Sequence, residues 1–412
     1  MRAAEETVTI ADVEEAQRRI AKFLPATPLA GSQRLSAQWK FSVSFKLEML
    51  HTTGSFKERG ALNKLLAMSD AERKCGVVAA SAGNHAQALA FHARRLNVPA
   101  VIVMPENAPL IKVQNTSADG AEVILHGTGY DDALAHARQL SVQRGLTFVH
   151  GFDDPAVIAG QGTAALEMYA QDPDLDCVII PVGGGGLLAG MACAYKALNP
   201  KIRVIGVQTQ AIQGMIKSLE AQDAVTVPYH PTIADGIAVR TPGLLCLSLA
   251  RTYVDEMIAV SEGEIAQAVL LMLEQEKTVV EGAGAAGVAA ILSDRVRGLE
   301  GKNVGVVLSG GNIDVNRLAR IIDKGLVRDG RLARMRVCVP DRPGELSRIL
   351  QMVAQLRANI LDIHHDRTFS RAQVGETCID LVLETRGESH IAEILAGFER
   401  SGLHVMRIAE LL

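Results

Sequence analysis

The sequence has few aromatic residues, no long apolar run and no cluster of basic residues. Aromatic side chains make up 4% of its 412 residues, and the formal net charge is −4. No apolar run reaches the roughly 20 residues that a membrane-spanning helix needs, so we expect no membrane segment. The mildly acidic balance argues against binding to nucleic acid or to an anionic membrane surface. Residues 1–11 lack an apolar core and predict no secretory signal.

The cysteines are scattered and form no C-x-x-C pair. Several lie in apolar runs, where a free cysteine behaves as a small hydrophobic residue. We therefore expect a reduced, cytoplasmic protein. The six positions are Cys75, Cys177, Cys193, Cys246, Cys338 and Cys378.

The segment T-G-S-F-K-E-R-G, residues 53–60, contains a lysine in an unusual setting. Lys57 follows the aromatic Phe56, lies between Gly54 and Gly60, and directly precedes a helical pattern over residues 61–68. A lysine fixed where a loop enters a helix can form a Schiff base with an aldehyde cofactor. Taken alone, the segment is more consistent with a solvated surface lysine, because most lysines are solvated.

A short polar segment follows the apolar run of residues 76–80 and opens a helical pattern over residues 86–94. The N-terminus of a helix presents free N–H groups and partial positive charge, so it can hold a carboxylate. The amide of Asn84 can also donate to an oxygen on a ring. An ordinary helix cap with a short turn is a plausible alternative. The segment consists of Ser81, Ala82, Gly83, Asn84 and His85.

A run of four glycines lies between a predicted strand, residues 177–182, and a predicted helix, residues 188–198. Such a loop can wrap tightly and point backbone N–H groups at a phosphate. A flexible linker is the alternative, but linkers seldom join a buried strand directly to a helix. The run is neither a dinucleotide fingerprint nor a P-loop, which disfavours an NAD dehydrogenase. Its residues are Gly183, Gly184, Gly185 and Gly186, followed by Leu187.

The last such segment is S-G-G-N at residues 309–312, after a predicted strand over residues 303–308. A hydroxyl at the carboxyl end of a strand faces the cleft in which α/β sheets bind ligands, which makes Ser309 a candidate ligand contact. The alternative is a plain turn before the next helix.

The pattern of apolar residues predicts alternating strands and helices from residue 76 to residue 324, and hence two parallel α/β sheets that share one cleft. A charged segment over residues 325–334 interrupts it. From residue 335 the order β-α-β-β-α-β follows, which is the ferredoxin-like motif. The predicted fold class is therefore α/β with an additional ferredoxin-like domain at the C-terminal end.

Together the segments resemble the fold-type II enzymes that use pyridoxal phosphate, and most closely the threonine dehydratases with a regulatory tail. The matches are spread over most of residues 1–325 and occur in the family's order. They are residues 55–60, 81–87, 159–163, 183–187, 234–243, 281–283 and 309–312. With D-R-P-G-E-L at its first turn, residues 341–346, the C-terminal domain resembles an ACT domain, the amino-acid-sensing module of metabolic enzymes. A plain dimerisation module is the alternative.

The resemblance implies a division of the chain into four parts. Residues 1–75 and 153–325 would form a large cofactor-binding domain, and residues 76–152 a small mobile domain. Residues 326–334 would form a linker, and residues 335–412 an ACT-like regulatory domain. The same resemblance implies a homodimer or homotetramer and an amino-acid effector bound by the tail.

The resemblance also assigns roles to the candidate residues. Lys57, preceded by Phe56, would hold pyridoxal phosphate as a Schiff base and, once released, remove the Cα proton of the substrate. The glycine loop with Leu187 would bind the phosphate, and the segment from Ser81 to His85 the substrate carboxylate. Asn84 would hydrogen-bond the ring hydroxyl oxygen, and Ser309 would face the pyridine nitrogen. A neutral hydroxyl there suits β-elimination.

Two departures from the family limit what carries over. Serine racemases have a second serine where this chain has Ala82, so we expect racemisation to be disfavoured. Members with a divalent metal site have a glutamate where this chain has Gln208, so we expect no such site. Glu281 matches a family position near the cofactor, with a helix N-terminal charge as the alternative role. Several histidines also lack metal-ligand spacing, namely His126, His150, His364 and His365.

The resulting hypothesis is an ammonia-lyase that converts L-threonine to 2-oxobutyrate and ammonia, with L-serine as a secondary substrate. Elimination from another hydroxy amino acid, such as 3-hydroxyaspartate, and weak racemisation are alternatives. A regulatory protein that binds amino acids without catalysis is a third, and we expect such a protein to lack Lys57 or the glycine loop.

Overall fold

Parallel strands with helices between them build the first part of the chain. The structure, a computed structural model, describes residues 7–366 and 373–408. The chain divides into two compact units, Met1–Ile313 and Asp314–Leu412. The strands of the first unit are β1 (Leu29–Gly31), β2 (Ser42–Leu47), β3 (Val77–Ala80), β4 (Ala100–Met104), β5 (Glu122–Leu125), β6 (Thr147–Phe148), β7 (Cys177–Pro181), β8 (Arg203–Thr209), β9 (Glu256–Val260) and β10 (Asn303–Leu308).

Helices connect these strands. They are α1 (Ile10–Ile20), α2 (Gln33–Trp39), α3 (Lys57–Ala67), α4 (Asp70–Cys75), α5 (Asn84–Arg95), α6 (Leu110–Ala118), α7 (Tyr130–Arg144), α8 (Pro155–Gln171), α9 (Gly186–Leu198), α10 (Gly214–Ala221), α11 (Leu244–Tyr253), α12 (Glu262–Gln275) and α13 (Gly282–Leu292). Two short 3₁₀ turns, Glu48–Leu50 and Asp235–Ile237, complete the regular structure of the unit in its described part.

The strands form two sheets. A six-stranded sheet has the order β1-β2-β10-β7-β8-β9, and only the pairing of β1 with β2 is antiparallel. A four-stranded sheet has the order β5-β4-β3-β6, with every pair parallel. Strands β3, β4 and β7 are buried at every position, which is typical of parallel sheets covered by helices on both faces. The predicted fold class is confirmed.

Helix α13 is made almost entirely of small residues and is buried from Gly282 to Ile291. It packs against β10 and β7 of the large sheet. A Cβ on Gly287 would lie 2.9 Å from Cγ1 of Val306 and 3.2 Å from Cγ2 of Ile179. The helix therefore approaches the sheet at a distance that leaves no room for a side chain at this position.

A buried ionic cluster fixes the start of α3. The guanidinium of Arg59 is fully buried and donates to both oxygens of Glu48 and both oxygens of Glu167, at 2.7–2.8 Å. The ammonium of Lys46, also fully buried, donates to Glu167 at 2.7 Å. These residues lie on β2, the 3₁₀ turn after it, α3 and α8, so the cluster joins four elements.

The charges in this cluster depend on one another. Burial alone would raise the pKa of Glu48, yet the Arg59 guanidinium holds that pKa well below its ordinary value. The pKa of Glu167 is likewise lowered against the effect of burial, by its hydrogen bond to Arg59. Burial lowers the pKa of Lys46, and the charge of Glu167 opposes this shift. Removal of Arg59 would leave two carboxylates buried without their main partner.

The second unit begins with α14 (Val315–Arg328). It continues with β11 (Leu332–Pro340), α15 (Glu345–Gln355), β12 (Asn359–Asp366), β13 (Glu376–Glu384), α16 (Glu388–Arg400) and β14 (Val405–Arg407). The sheet order is β12-β13-β11-β14, and all pairs are antiparallel. Apolar side chains of one sheet face form a core with α15 and α16, including Met335, Leu381 and Phe398. This is the predicted β-α-β-β-α-β order.

The prediction that residues 326–334 form a linker loop is wrong. Helix α14 extends to Arg328 and β11 begins at Leu332, so residues 329–331 remain between them. One of the charged residues that suggested a linker, Arg334, belongs to a strand face. Arg334 and Arg336 alternate with buried apolar residues, and both pair with Asp380, a carboxylate that is buried on β13. The division into large, small and regulatory domains stays a prediction.

The expectation of fully reduced cysteines is wrong for one pair. Cys338 and Cys378 are direct partners in the register of β11 and β13, and their sulfur atoms form a disulfide. Their separation of 40 residues in the sequence gave no sign of this pairing. Of the free cysteines, Cys75 is exposed, whereas Cys177, Cys193 and Cys246 are buried, as expected for small core residues. Within the described residues, no helix is long and apolar enough to cross a membrane.

We predict that Arg59→Ala destabilises the first unit by about 3–5 kcal/mol, because it leaves Glu48 and Glu167 buried without the guanidinium that pairs with both, and Lys46 contacts Glu167 alone of the two. The measurement is urea unfolding followed by fluorescence and circular dichroism. Arg73→Ala is the control, since Arg73 pairs with Asp70 in an exposed i,i+3 pair on α4. Such pairs contribute about 1 kcal/mol or less. Equal effects of the two substitutions would show that the buried cluster has no special role.

Candidate active site

Lys57 is the first residue of α3, and Phe56 occupies the capping position before it. Its ammonium donates to the carbonyl oxygen of Gly151 at 2.7 Å and lies 5.0 Å from the centre of the Phe56 ring. Burial lowers the pKa of Lys57 to about 8, while the nearby Cys246 and Glu281 oppose the shift. The residue is therefore not the solvated surface lysine of the alternative interpretation. Its amine can lose a proton near neutral pH.

The glycine loop joins β7 to α9, which begins at Gly186. Gly185 has φ +104°, a conformation that favours glycine. Cβ atoms on Gly184 and Gly186 would lie 2.4 Å from the Phe152 ring and 2.8 Å from its carbonyl oxygen. The loop thus has no room for side chains at these positions, and Leu187 follows as a buried residue in the first turn of α9.

This cradle fits a phosphate group. The first N–H groups of α9 have no acceptor within the helix, and the partial positive charge of its N-terminus is directed toward the loop. The strand β7 ends directly before the cradle, at the carboxyl edge of the large sheet, which is the edge where α/β sheets bind ligands. Gly151 and Phe152 could not be predicted as site residues, because nothing in the lone G-F-D-D segment marks it as a neighbour of residues 57 and 183–186.

The segment from Ser81 to Gly83 leads from β3 into α5, which begins at Asn84. The hydroxyl of Ser81 accepts a hydrogen bond from the N–H of Gly83 at 3.2 Å. Nothing lies within 4 Å of a Cβ placed on Gly83. The helix N-terminus therefore borders open space, and Ala82 contributes no hydroxyl to it. A carboxylate is a group that such an N-terminus accepts well.

His85 is buried beneath this N-terminus. Its Nε2 lies 3.3 Å from the carbonyl oxygen of Val149, and its ring packs on Gly151, the residue that accepts from Lys57. Burial, with a smaller contribution from the charge of Lys57, lowers the pKa of His85 to about 3. The imidazole is neutral at physiological pH. It can act on the site as a packing and hydrogen-bonding group but not as a cation.

Ser309 lies directly after β10 and is buried. Its carbonyl oxygen accepts from the N–H of Phe56 at 3.0 Å, and the next residue, Gly310, forms a bridge with Ser55. These contacts place the end of β10 beside the start of α3, so Ser309 and Lys57 share one region. The sequence placed Ser309 at the end of a strand, and the resemblance to the family assigned Ser309 and Lys57 to one site.

A series of side-chain hydrogen bonds links four of the segments singled out in the sequence. Nδ2 of Asn312 donates to the carbonyl oxygen of Thr53 at 2.7 Å and to Oδ1 of Asn84 at 2.8 Å. Nδ2 of Asn84 donates to Oε1 of Glu281 at 2.9 Å. The contact between Asn84 and Glu281 spans 197 residues of sequence, and the residue pattern gave no sign of it.

Gln208 and two of the singled-out histidines make contacts that need no metal. Gln208 is fully buried, and its Oε1 accepts from a backbone N–H in the first turn of α10 at 3.0 Å. His126 stacks on the ring of His136, and Nδ1 of His150 accepts from the N–H of Asp153. Across the part of the chain that the structure describes, no three His, Cys, Asp or Glu side chains cluster as metal ligands would.

Comparison with known proteins agrees with this geometry. The family model described as "Pyridoxal-phosphate dependent enzyme" matches residues 20–310. Because the match covers most of the chain, the protein belongs to this family. The predicted cofactor, pyridoxal phosphate, is thereby confirmed.

Individual relatives narrow the class. The chain is 50% identical to an L-threonine ammonia-lyase of Thermotoga maritima, over 94% of this chain and 96% of that protein. A solved structure of a threonine deaminase from T.th. is 40% identical, with TM-score 0.70, over 74% of this chain and 99% of that one. A serine racemase structure from Dictyostelium discoideum is 37% identical, with TM-score 0.71, over 75% of this chain and 100% of that one. The predicted enzyme class, a pyridoxal-phosphate-dependent ammonia-lyase, is confirmed.

We predict that Lys57→Ala abolishes the visible Schiff-base absorption of the cofactor-loaded protein, because this substitution removes the amine that forms the Schiff base. The measurement is an absorption spectrum after addition of pyridoxal phosphate, followed by borohydride reduction and peptide mass analysis. Lys64→Ala is the control, since Lys64 lies on the same helix but pairs with Asp154. A reduced adduct on a lysine other than Lys57 in the unaltered protein would refute the assignment.

Proposed function

We propose that this chain deaminates L-threonine to 2-oxobutyrate and ammonia and accepts L-serine as a secondary substrate. The likeness to the L-threonine ammonia-lyase of Thermotoga maritima over nearly the whole chain carries the proposal. The site supports it, since an amine of lowered pKa, the glycine loop and the N-terminus of α5 all adjoin residues 151–152. Each of these groups has a defined place in the reaction.

The cofactor, when bound, supplies an electron sink for the charge that develops at the substrate Cα. The chain supplies the proton transfers and the orientation. The Lys57 amine would take the Cα proton, and its lowered pKa suits a general base near neutral pH. The N-terminus of α5, from Ser81 to His85, would hold the substrate carboxylate. Because His85 stays neutral, that contact depends on backbone N–H groups rather than on a charged side chain.

The remaining assignments concern the cofactor ring. Asn84 would donate to the ring hydroxyl oxygen with the amide hydrogen that Glu281 does not use. Ser309 would face the pyridine nitrogen with a neutral hydroxyl, which favours rapid loss of the β-substituent over long-lived charge on the ring. Ala82 offers no acid or base on the opposite face of the substrate, so elimination is favoured over the racemisation that the Dictyostelium discoideum relative is named for.

The block of residues 76–152 would close over the substrate. Two ion pairs within the first unit support this part of the proposal. Lys112 on α6 lies 3.4 Å from Asp235, and Asp131 on α7 lies 3.2 Å from Arg240. Each pair joins the block that contains the four-stranded sheet to the segment over residues 235–240. Closure would exclude water from the reacting groups.

The second unit would bind an amino-acid effector, and the chain would work as a homodimer or homotetramer in the cytoplasm. The β-α-β-β-α-β order and the turn at residues 341–346 support an ACT-like module. An effector that binds one state of this unit better than another would change the activity of the first unit by the difference in its binding free energy.

We predict that the purified protein forms 2-oxobutyrate from L-threonine faster than pyruvate from L-serine, with 3-hydroxyaspartate as the poorest substrate. The measurement is release of keto acid from the three amino acids side by side, with chiral chromatography of the remaining serine. Turnover of 3-hydroxyaspartate alone would overturn the substrate, and D-serine as the main product would overturn the reaction. The Schiff-base absorption without any product would favour the non-catalytic sensor.

We predict that isoleucine or valine changes the rate of the full chain and that removal of residues 314–412 abolishes this response while turnover continues. The physical reason is that the effector site would lie in the second unit, whereas Lys57 and the glycine loop lie in the first. The measurement is 2-oxobutyrate release against effector concentration. A truncated chain that folds, turns over and still responds would refute the regulatory role of the tail.

A further inference from the structure

Glu281 is a buried residue at the start of α13 whose carboxylate does not cap that helix. It occupies the capping position of α13, but its side chain makes no hydrogen bond to the N–H groups of that helix. Its backbone N–H donates to the carbonyl oxygen of Gly310, and its Oε1 accepts from Asn84 instead. A capping carboxylate normally satisfies the first turn of its own helix. The carboxylate of Glu281 therefore contacts Asn84 rather than the N–H groups of its own helix.

Glycines make room for this carboxylate. A Cβ on Gly310 would lie 2.6 Å from Oε1 of Glu281, and a Cβ on Gly236 would lie 3.2 Å from the same atom. Asn312 lies at the other end of the series of hydrogen bonds that begins at Glu281, and a Cβ on Gly54 would lie 2.5 Å from its Oδ1. Three separate segments thus carry glycine where a side chain would displace the hydrogen-bonded groups.

The chain of donors leaves one hydrogen of Asn84 unassigned. Both hydrogens on Nδ2 of Asn312 are used, one by Thr53 and one by Oδ1 of Asn84, with a longer contact to Gln87 at 3.5 Å. Asn84 is thereby oriented with its own Nδ2 toward Glu281, which takes one of two hydrogens. The second hydrogen is the one that the proposed function assigns to the ring oxygen of the cofactor.

We propose that Glu281 is a positioning residue, which fixes the Asn84 amide so that its second hydrogen is presented to the ring oxygen of pyridoxal phosphate. This inference rests on the proposed role of Asn84. An ionised Glu281 can only accept, so it reinforces the orientation that Asn312 imposes from the other side. A protonated carboxyl offers a weaker acceptor and a competing donor, and the Asn84 amide is then held less firmly.

The surroundings of Glu281 bring the protonation of its carboxylate into the physiological pH range. Burial raises the pKa of Glu281 to about 7, and Asp235 on the neighbouring 3₁₀ turn adds to the shift. The hydrogen bond from Asn84 on α5, and the charges of Lys112 on α6 and Lys57 on α3, oppose it. The carboxylate form is present above this pKa and is lost as pH falls through it. The firm hold on Asn84 therefore belongs to the alkaline side of pH 7.

We predict that Glu281→Ala raises the dissociation constant for pyridoxal phosphate by about fivefold to tenfold, the usual effect of a lost hydrogen bond. Glu281→Gln keeps a neutral acceptor but, like a protonated carboxyl, also carries donor hydrogens, so at pH 8 we expect its constant to lie between those of the unaltered protein and Glu281→Ala. The measurement is titration of the full chain with pyridoxal phosphate, followed by absorption, from pH 6 to pH 8.5. Thermal unfolding of each variant confirms that it folds.

The ratio of the two constants, unaltered protein to Glu281→Gln, removes the titration of the free cofactor, and the inflection expected from Glu281 near pH 7 lies below that of Lys57, whose pKa is about 8. We expect this ratio to rise as pH falls through about 7, because only the unaltered protein loses its carboxylate acceptor. Asp235→Asn should move the inflection to lower pH, since it removes a negative charge beside Glu281. A ratio that is independent of pH would overturn the proposal, because a merely structural glutamate predicts no inflection.

Asn84→Ala separates failure of this inference from failure of the proposed function. If Asn84→Ala weakens cofactor binding and Glu281→Ala does not, the role of Glu281 is wrong and that of Asn84 stands. If neither substitution changes the dissociation constant while Lys57→Ala abolishes the absorption, the assignment of Asn84 to the ring oxygen is wrong, and the inference falls with it. Weaker binding in both, with the expected inflection, supports both.

Discussion

The hydrogen-bonded pairing of Arg59 with Glu48 and Glu167 is the contact on which the position of the reactive lysine depends. Arg59 lies two residues after Lys57 on α3, and the cluster joins that helix to β2 and α8. Two carboxylates without a cation would be costly in this buried place, so the guanidinium is held between them. A helix fixed in this way at its first turn holds its first residue as well, and that residue is Lys57.

The second constraint is the close approach of backbones around the cleft. Separate loops end at neighbouring positions because parallel strands place their carboxyl ends along one edge. Glycine at residues 184–186, 236 and 310 then allows those loops to touch side chains or carbonyl groups that a Cβ would displace. The polar side chains assigned to the cleft are an amine, two amides, a carboxyl, two hydroxyls and an imidazole. With so few groups, each hydrogen bond has a defined partner.

Several of the site residues could be predicted from the sequence, because each lies in a distinctive short segment. The glycine loop and Ser309 each follow an apolar run, so the strand pattern placed them at the edge of a sheet, whereas the resemblance of residues 55–60 to the family assigned Lys57 to the same site. The pairing of Arg59 with Glu167 and the contact of Asn84 with Glu281 were not accessible, because they join side chains 108 and 197 residues apart. The charged start of β11 suggested a linker for a related reason, since its partner Asp380 lies on another strand.

The rotation of helix α13 against the large sheet is determined by its glycines. The helix has no polar face, so hydrophobic contrast cannot determine which side meets the sheet. The positions of its glycines distinguish one rotation from another, since Gly287 must face Val306 and Ile179. An inserted residue would turn everything after it by about 100° around the axis and bring a side chain to that point. We therefore expect α13 to tolerate insertions and deletions poorly, less well than the protein surface tolerates substitutions, although the helix consists almost entirely of small apolar residues.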